Sequence, residues 1–280
     1  MWKPHPVAHM NWTCKVNAPL SQPVVNARSV PEYKNMIVVK MPLRCGLHVK
    51  HVWLAARPET RHAAGFSVFY DCLATERQPG FFRVPKQALF VDLRPGAEQV
   101  LQAMGESTRY KIRRAIREDV TTEVEHNAEA FADIYDAFAK SKKDFPAMSR
   151  PKLRLYWPKM VVTKSVHKGE TLGMHSYFID PISSRATLMW ACSLFRVSET
   201  TDRRSFCARA NLFHFWADMK LSEQSGAHDF DFGYFGDTTQ GLGSVNQFKL
   251  QFPCQSQPVS TYYSFPWFLW KRLLDRKEAL

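Results

Sequence analysis

Apolar residues at helical spacing predict a long amphipathic helix over residues 206–224. They recur at intervals of one or three positions, as Leu212, Phe215, Trp216 and Met219. This spacing places them on one face of a helix, which we expect to pack against a core. Gly226 is expected to end the helix.

The hydrophobic period changes directly after that helix. In residues 228–234 aromatic side chains alternate with aspartates such as Asp231, which is the two-residue period of a β-strand. The glycines of residues 236–243 predict a turn that is long enough to be a functional loop. Phe248 and Lys249 are then expected to open a second aromatic strand.

The rest of the chain alternates between strand and helix patterns. Short β-branched or aromatic runs predict strands at residues 36–39, 49–55, 65–70, 90–93 and 120–124, and a hairpin at 171–179 and 186–194. Helical spacing predicts helices at 98–104, 107–117, 128–142 and 152–167. This order indicates an α/β or α+β fold with a mixed central sheet.

Composition and charge narrow the class of protein. The 280 residues are 45% hydrophobic and 13% aromatic, which is typical of a globular chain with a large core. A formal net charge of +12 favours an anionic partner, whether nucleic acid, a nucleotide pyrophosphate or an acidic membrane surface. The alternative is that the charge only keeps the protein soluble. The six cysteines form no C-x-x-C pair and suit a reducing cytoplasm. Without a signal-peptide pattern or a membrane-spanning apolar run, we expect a cytoplasmic protein.

Two blocks of the sequence match one known family. Residues 205–252 give the order helix, glycine, D-F-G strand, glycine-rich loop and the pair Phe248-Lys249. Residues 107–117 read roughly S-x-R-x-x-I-R-x-A. Together, over about residues 85–255, they resemble the FemABX-like transferases of the GNAT-like N-acyltransferase superfamily.

The resemblance implies a fold and a domain organisation. The fold would be GNAT-like, with a mixed central sheet flanked by helices and two diverged GNAT-like halves. The expected domains are an N-terminal half at residues 1–118, a C-terminal half with the site at residues 119–264, and an amphipathic helix at residues 265–280.

The resemblance also implies an activity. It is N-acyl transfer from an activated donor to an amine of a cell-envelope precursor, an amino sugar or peptidoglycan peptide that is nucleotide- or lipid-linked. The donor is a co-substrate, and no bound cofactor is expected. Residues 204–210 lack the glycine loop with which GNAT enzymes hold coenzyme A, which slightly favours aminoacyl-tRNA over acyl-coenzyme A. A non-catalytic GNAT-like module that binds RNA is the alternative from another class.

Lys249 is the first candidate for a catalytic residue. A lysine that follows a glycine-rich loop can place its ammonium where negative charge develops on an acyl carbonyl. The resemblance associates the pair Phe248-Lys249 with the acyl donor and with the tetrahedral intermediate. The structural alternative is a lysine that discourages aggregation of an edge strand.

Two further residues are candidates for proton transfer. Asp231, near the end of its predicted strand, is placed to orient the acceptor amine or accept its proton, or instead to cap the following loop. His175, in the middle of a predicted strand, is either a general base or a histidine satisfied within the core.

Four arginines are candidates for donor binding. Arg204 and Arg209 are expected at the first turn of the helix at 206–224, where backbone N–H groups favour a phosphate. Arg113 and Arg114, in the basic helix at 107–117, would track phosphates of a tRNA, or form a solvated outer face.

Two other patterns have weaker functional interpretations. Cys45, His48 and His51 have almost the spacing of a metal site, but a strand would send the two histidines to opposite faces, so we predict no metal. The tail at residues 265–277 combines bulky apolar residues with basic ones. It either packs on its own domain or lies at the inner face of a membrane, next to a lipid-linked substrate. No motif of serine hydrolases, P-loop kinases or Rossmann dehydrogenases is present.

Overall fold

A computed structural model describes residues 36–43, 46–142, 145–196, 200–236 and 243–277, with gaps between them. All of these residues belong to one compact unit, Tyr33–Leu280. Cys45 and most of the predicted glycine-rich loop lie outside the described residues.

Ten strands form one mixed sheet. They are β1 Ile37–Pro42, β2 His48–Trp53, β3 Ser67–Cys72, β4 Phe81–Asp92, β5 Thr121–Val124, β6 Val161–His167, β7 Glu170–Asp180, β8 Arg185–Ser193, β9 Asp229–Tyr234 and β10 Gln255–Ser264. Their order is β1-β2-β3-β10-β4-β9-β8-β7-β6-β5. Two neighbouring pairs, β2 with β3 and β8 with β9, run parallel, and the others run antiparallel.

Seven α-helices are present in the described part of the chain. They are α1 Ala97–Ala103, α2 Glu106–Arg117, α3 Ala128–Lys140, α4 Arg150–Tyr156, α5 Thr201–Gln224, α6 Gly243–Lys249 and α7 Phe265–Lys277. The largest core cluster joins α1, α2 and α5 to the central strands, with Phe230 and Phe232 of β9 buried within it. The predicted mixed sheet flanked by helices is confirmed.

The strand order bears on the predicted halves without testing their boundary. Strands β1 to β4 lie on one side of the sheet and β5 to β9 on the other, while β10 inserts between β3 and β4. Residue 118 lies between these two groups along the chain. The division at this residue stays a prediction.

One predicted helix is wrong over most of its length. Residues 152–167 contain only the end of α4, a 3₁₀ turn at Trp157–Lys159, and then strand β6. Pro158 cannot continue a helix because it lacks the N–H group and its ring clashes with the preceding turn. The β-branched residues that follow it favour a strand.

The predicted strand at Phe248 and Lys249 is also wrong. Both residues end helix α6, and the next strand starts six residues later. Phe248 and Phe252 contact each other with ring centroids 5.7 Å apart, while Leu250 between them is exposed. Aromatics at this spacing match both a strand and a helical turn, so the local pattern alone cannot choose.

Candidate functional site

A cavity of about 990 Å³ lies between α2, α5, α6 and strand β8. One face of α5 forms its longest wall, because Arg204, Ala208, Asn211 and Phe215 recur at helical spacing and all line it. Along this face the side chains change from exposed at Arg204 to buried at Phe215. The cavity therefore runs from an open mouth into the core.

Helix α5 begins earlier than its apolar pattern predicts. It begins at Thr201, and the Thr200 side chain caps it by accepting a hydrogen bond from the backbone N–H of Arg203. Arg209 therefore lies in the third turn and not at the helix N-terminus. The prediction of a phosphate site at the first turn is wrong for this arginine, although its side chain still lines the cavity.

Lys249 lies at the wall of the cavity and is 8% exposed. Its Nζ donates a hydrogen bond to the backbone oxygen of Tyr234, the last residue of β9, over 2.8 Å. Burial lowers the pKa of Lys249, and the negative charge of Asp231 opposes this shift. An ammonium has three N–H donors. Among the described residues Lys249 Nζ bonds to Tyr234 O alone, so two donors remain for a ligand.

Aromatic rings form the wall next to this lysine. The aromatic wall consists of Phe215, Phe232 and Phe248, one residue each from α5, β9 and α6. The Phe215 ring centroid is 5.3 Å from that of Phe232 and 5.3 Å from that of Phe248. Water is poorly accommodated beside such a surface, and electrostatic interactions of the neighbouring ammonium are strengthened accordingly.

Basic residues surround the entrance. The cationic mouth consists of Lys111, Arg114, Lys142, Arg204 and Arg209. Glu118 accepts hydrogen bonds from Arg209 Nη2 over 2.9 Å and from Arg114 Nε over 2.8 Å, so it fixes both guanidinium groups. No carboxylate lines the cavity among the described residues, and the mouth keeps an excess of positive charge that suits a phosphate.

Three predicted site residues do not line the cavity, namely Arg113, Asp231 and His175. Arg113 is exposed on α2 and does not line it. Asp231 is fully buried, where its Oδ2 accepts a hydrogen bond from Arg185 Nη2 over 2.8 Å and its Oδ1 accepts one from the N–H of Gly233 over 2.7 Å. These bonds tie β9 to β8, and the acceptor-binding role predicted for Asp231 finds no support in this geometry.

His175 is buried behind the cavity. Its Nδ1 lies 2.7 Å from Asp218 Oδ2, and its Nε2 lies 3.1 Å from Asn211 Oδ1. Asn211 lines the cavity and separates the imidazole from it. A general base needs its nitrogen within reach of the substrate. Asn211 lies between His175 and the cavity, so the imidazole does not have the access to substrate that its predicted role as a general base requires.

His175, His214 and Asp218 also have ligand atoms within 4.8 Å of one another. The two imidazole rings are stacked, with centroids 3.8 Å and planes 11° apart. Histidine lone pairs lie in the ring plane and zinc binds about 2.0–2.1 Å from nitrogen, so one ion cannot lie in both planes. We interpret this cluster as a hydrogen-bonded network. The histidines predicted not to bind metal, His48 and His51, do not belong to any candidate cluster among the described residues.

The C-terminal helix α7 is partly packed and partly exposed. Trp267 contacts Phe66, and Phe268 stacks on Phe82 with centroids 4.0 Å apart. On the other side Leu269 is 60% exposed and Leu273 is 57% exposed. In the part of the chain that is described, no helix has the length and apolarity needed to cross a membrane.

Several residues around the cavity were not predicted from the sequence. Glu118 and Asn211 carry no local motif, and Asp218 and Arg185 pair with residues 43 and 46 positions away. The spacing of Asn211, His214 and Asp218 along a helix was the available signal, since it places three polar groups on one side of an otherwise apolar element.

The fold and this cavity define the class of structure to which the chain belongs. It is a GNAT-like fold similar to that of FemX, so the resemblance seen in the sequence is confirmed at the level of fold.

In particular, the crystal structure of FemX matches with a TM-score of 0.58 and 10% identity, over 84% of this chain and 85% of that one. L-PGS from Bacillus licheniformis matches with a TM-score of 0.49 and 11% identity, over 82% and 81%. A GCN5-related N-acetyltransferase from Kribbella flavida matches with a TM-score of 0.35 and 13% identity, over 71% of this chain and 67% of that one. No protein-family model and no curated protein matches the sequence.

Proposed function

We propose that this protein is an N-acyltransferase that moves an acyl or aminoacyl group from an activated donor to an amine. The observation that carries the proposal is the cavity itself. Within the FemX fold it combines a buried lysine, an aromatic wall and a cationic mouth. This combination suits a ligand with phosphates at one end and a reactive carbonyl at the other.

Lys249 would act on the carbonyl of the donor. As the amine nitrogen attacks, a C–N bond forms and the carbonyl electrons move to oxygen, which becomes an oxyanion. The two free N–H groups of Lys249 would donate to that oxygen. The tetrahedral intermediate then loses its C–O or C–S bond, and the proton from the amine passes to the departing oxygen or sulfur.

Aminoacyl-tRNA is the donor that we favour. The cationic mouth has arginines from α2 and α5 in place of a glycine loop, and it lies beside the basic surface of α2. Arg113 and Arg117 are exposed there, outside the cavity. A polymer extending from the cavity would meet these side chains, whereas a coenzyme A molecule held within it would not. Acyl-coenzyme A is the alternative donor.

The acceptor follows from the FemABX-like resemblance. We propose an amine of a cell-envelope precursor, either an amino sugar or a peptidoglycan peptide, linked to a nucleotide or a lipid. An enzyme acting on a lipid-linked acceptor would benefit from peripheral contact with a membrane, and the exposed leucines of α7 are suited to it.

The experiment that tests the reaction measures transfer of radiolabelled acyl groups. A pool of charged tRNA and a panel of acyl-coenzyme A thioesters are each incubated with the protein and with amine acceptors of the two classes. We expect transfer from charged tRNA, inhibited steeply by salt because phosphate contacts release counterions. Salt-dependent RNA binding without transfer from any donor would favour the non-catalytic module instead.

Substitution of Lys249 tests the proposed site. Lys249→Met keeps the length and apolar stem of the side chain but removes the donors, so kcat should fall about 100- to 1,000-fold. The thermal midpoint should change little. Lys40→Met, the same change at an exposed position of β1, is the matched control and should keep full activity. Full activity of Lys249→Met would place the site elsewhere.

A further inference from the structure

A buried chain of polar groups leads from Asp218 to the cavity. The Asp218 carboxylate accepts hydrogen bonds from Tyr177 and from Thr163, the latter over 2.7 Å. Its third partner is His175 Nδ1, and the chain continues from His175 Nε2 to Asn211. Asp218 and His175 are 2% and 0% exposed, so the chain is sealed from solvent except at Asn211.

The partners of His175 determine where its protons are. Both ring nitrogens face oxygen atoms, those of Asp218 and Asn211. Because an amide oxygen can only accept, Nε2 is the donor in the bond to Asn211 Oδ1. Burial alone would raise the pKa of Asp218, but the neighbouring imidazoles and the hydrogen bonds from His175 and Thr163 lower it.

This arrangement fixes the direction of the Asn211 amide. Since His175 Nε2 donates to Oδ1, the Nδ2 group of Asn211 is turned away from the imidazole. Asn211 is half-buried on the cavity face of α5, one turn from Ala208 and one turn from Phe215. The described residues give its Nδ2 no other hydrogen-bond partner, so this donor is available to a ligand.

We propose that Asn211 binds an oxygen of the acyl donor through its side-chain N–H groups, and that His175 and Asp218 are positioning residues that hold the amide in this orientation. The side chain of asparagine by itself presents either its carbonyl oxygen or its amide NH2 group to a ligand, because the two ends have the same shape. The Nε2–H group of His175 bonds only to an acceptor and therefore removes this ambiguity. The inference rests on the proposed function for the identity of the ligand but not for the orientation of the amide.

The orientation is tested without any substrate. Histidine labelled with ¹⁵N gives proton–nitrogen correlation spectra that distinguish protonated from unprotonated ring nitrogens, and the His175→Gln variant identifies the signals of His175. We expect a proton on Nε2, with its signal shifted in Asn211→Leu. An unprotonated Nε2 would mean that the amide is reversed, and would overturn the proposal.

Kinetics test the role in binding. With the donor found in the transfer assay, Asn211→Leu should raise KM about tenfold, the loss of one hydrogen bond, while kcat changes little. Because His175 acts through Asn211, adding His175→Gln to Asn211→Leu should cause no further rise in KM. Additive losses, or an unchanged KM in Asn211→Leu, would refute the proposal. If the wild-type protein transfers nothing, the proposed function fails and the spectra alone decide the orientation.

Discussion

His214 should make the stability of this protein depend on pH below neutrality. It is 0% exposed and stacks on His175, and its Nδ1 has no hydrogen-bond partner within the described part of the chain. Burial and the positive charge of His175 lower the pKa of His214 to about 3, despite the opposing charge of Asp218. Protonation would place an unpaired N–H in the core, which explains the direction of the shift.

The magnitude follows from the two states of the histidine. An unfolded chain binds a proton as pH falls through about 6.5, whereas the folded protein does not bind one at His214 until about pH 3. The unfolded state therefore holds more protons between these values, and stability falls as pH falls. For this one group the loss on going from about pH 7.5 to about pH 5 is about 2 kcal/mol.

Urea unfolding of the wild-type protein and of His214→Phe at both pH values measures this loss. Phenylalanine keeps the stacked ring but cannot titrate, so the variant should lose about 2 kcal/mol less than the wild type. Burial also lowers the pKa of His51 to about 4. This histidine is present in both proteins, so its contribution to the loss of stability cancels in the difference. Equal losses in the two proteins would refute a neutral, buried His214.

Three other predictions concern the cavity, the core and the surface. Arg209→Met should raise the KM for the donor at least tenfold. The matched change Arg203→Met, on the same helix but outside the cavity, should leave this KM nearly unchanged. Equal effects of the two changes would contradict the proposed cationic mouth. Asp231→Asn should lower stability by about 3–5 kcal/mol, because it leaves a guanidinium buried without a counter-ion; a loss of activity with normal stability would instead restore its predicted role in acceptor binding. Wild-type protein should co-sediment with anionic vesicles, and the pair Leu269→Ser with Leu273→Ser should not; absence of wild-type binding would exclude this contact.

Local patterns were sufficient where the side chains within an element determine whether it is a helix or a strand. The apolar spacing of Leu212 and Phe215 predicted α5, and the alternation around Phe230 predicted β9, because burial of one face follows directly from period. They failed at residues 152–167 and at Phe248, where the residues match two periods and packing against distant elements decides between them.

The site shows the same division. Candidate residues followed from side-chain chemistry and from the family resemblance, and the structure gathers Arg114, Arg204, Arg209, Phe248 and Lys249 around one cavity. Arg113 and Asp231 have equally suitable chemistry but lie elsewhere. A charged group in a sequence does not reveal its counter-ion, since that partner is brought near only by folding.

By itself, the sequence determined the kind of fold, the excess of positive charge and the side chains that chemistry requires. Only the tertiary structure decided that Asp231 pairs with Arg185 in the core, and that Asn211 stands between His175 and the cavity. The physical reason is that helix and strand formation depend on neighbours along the chain, whereas desolvation and hydrogen bonding of a polar group depend on neighbours in space.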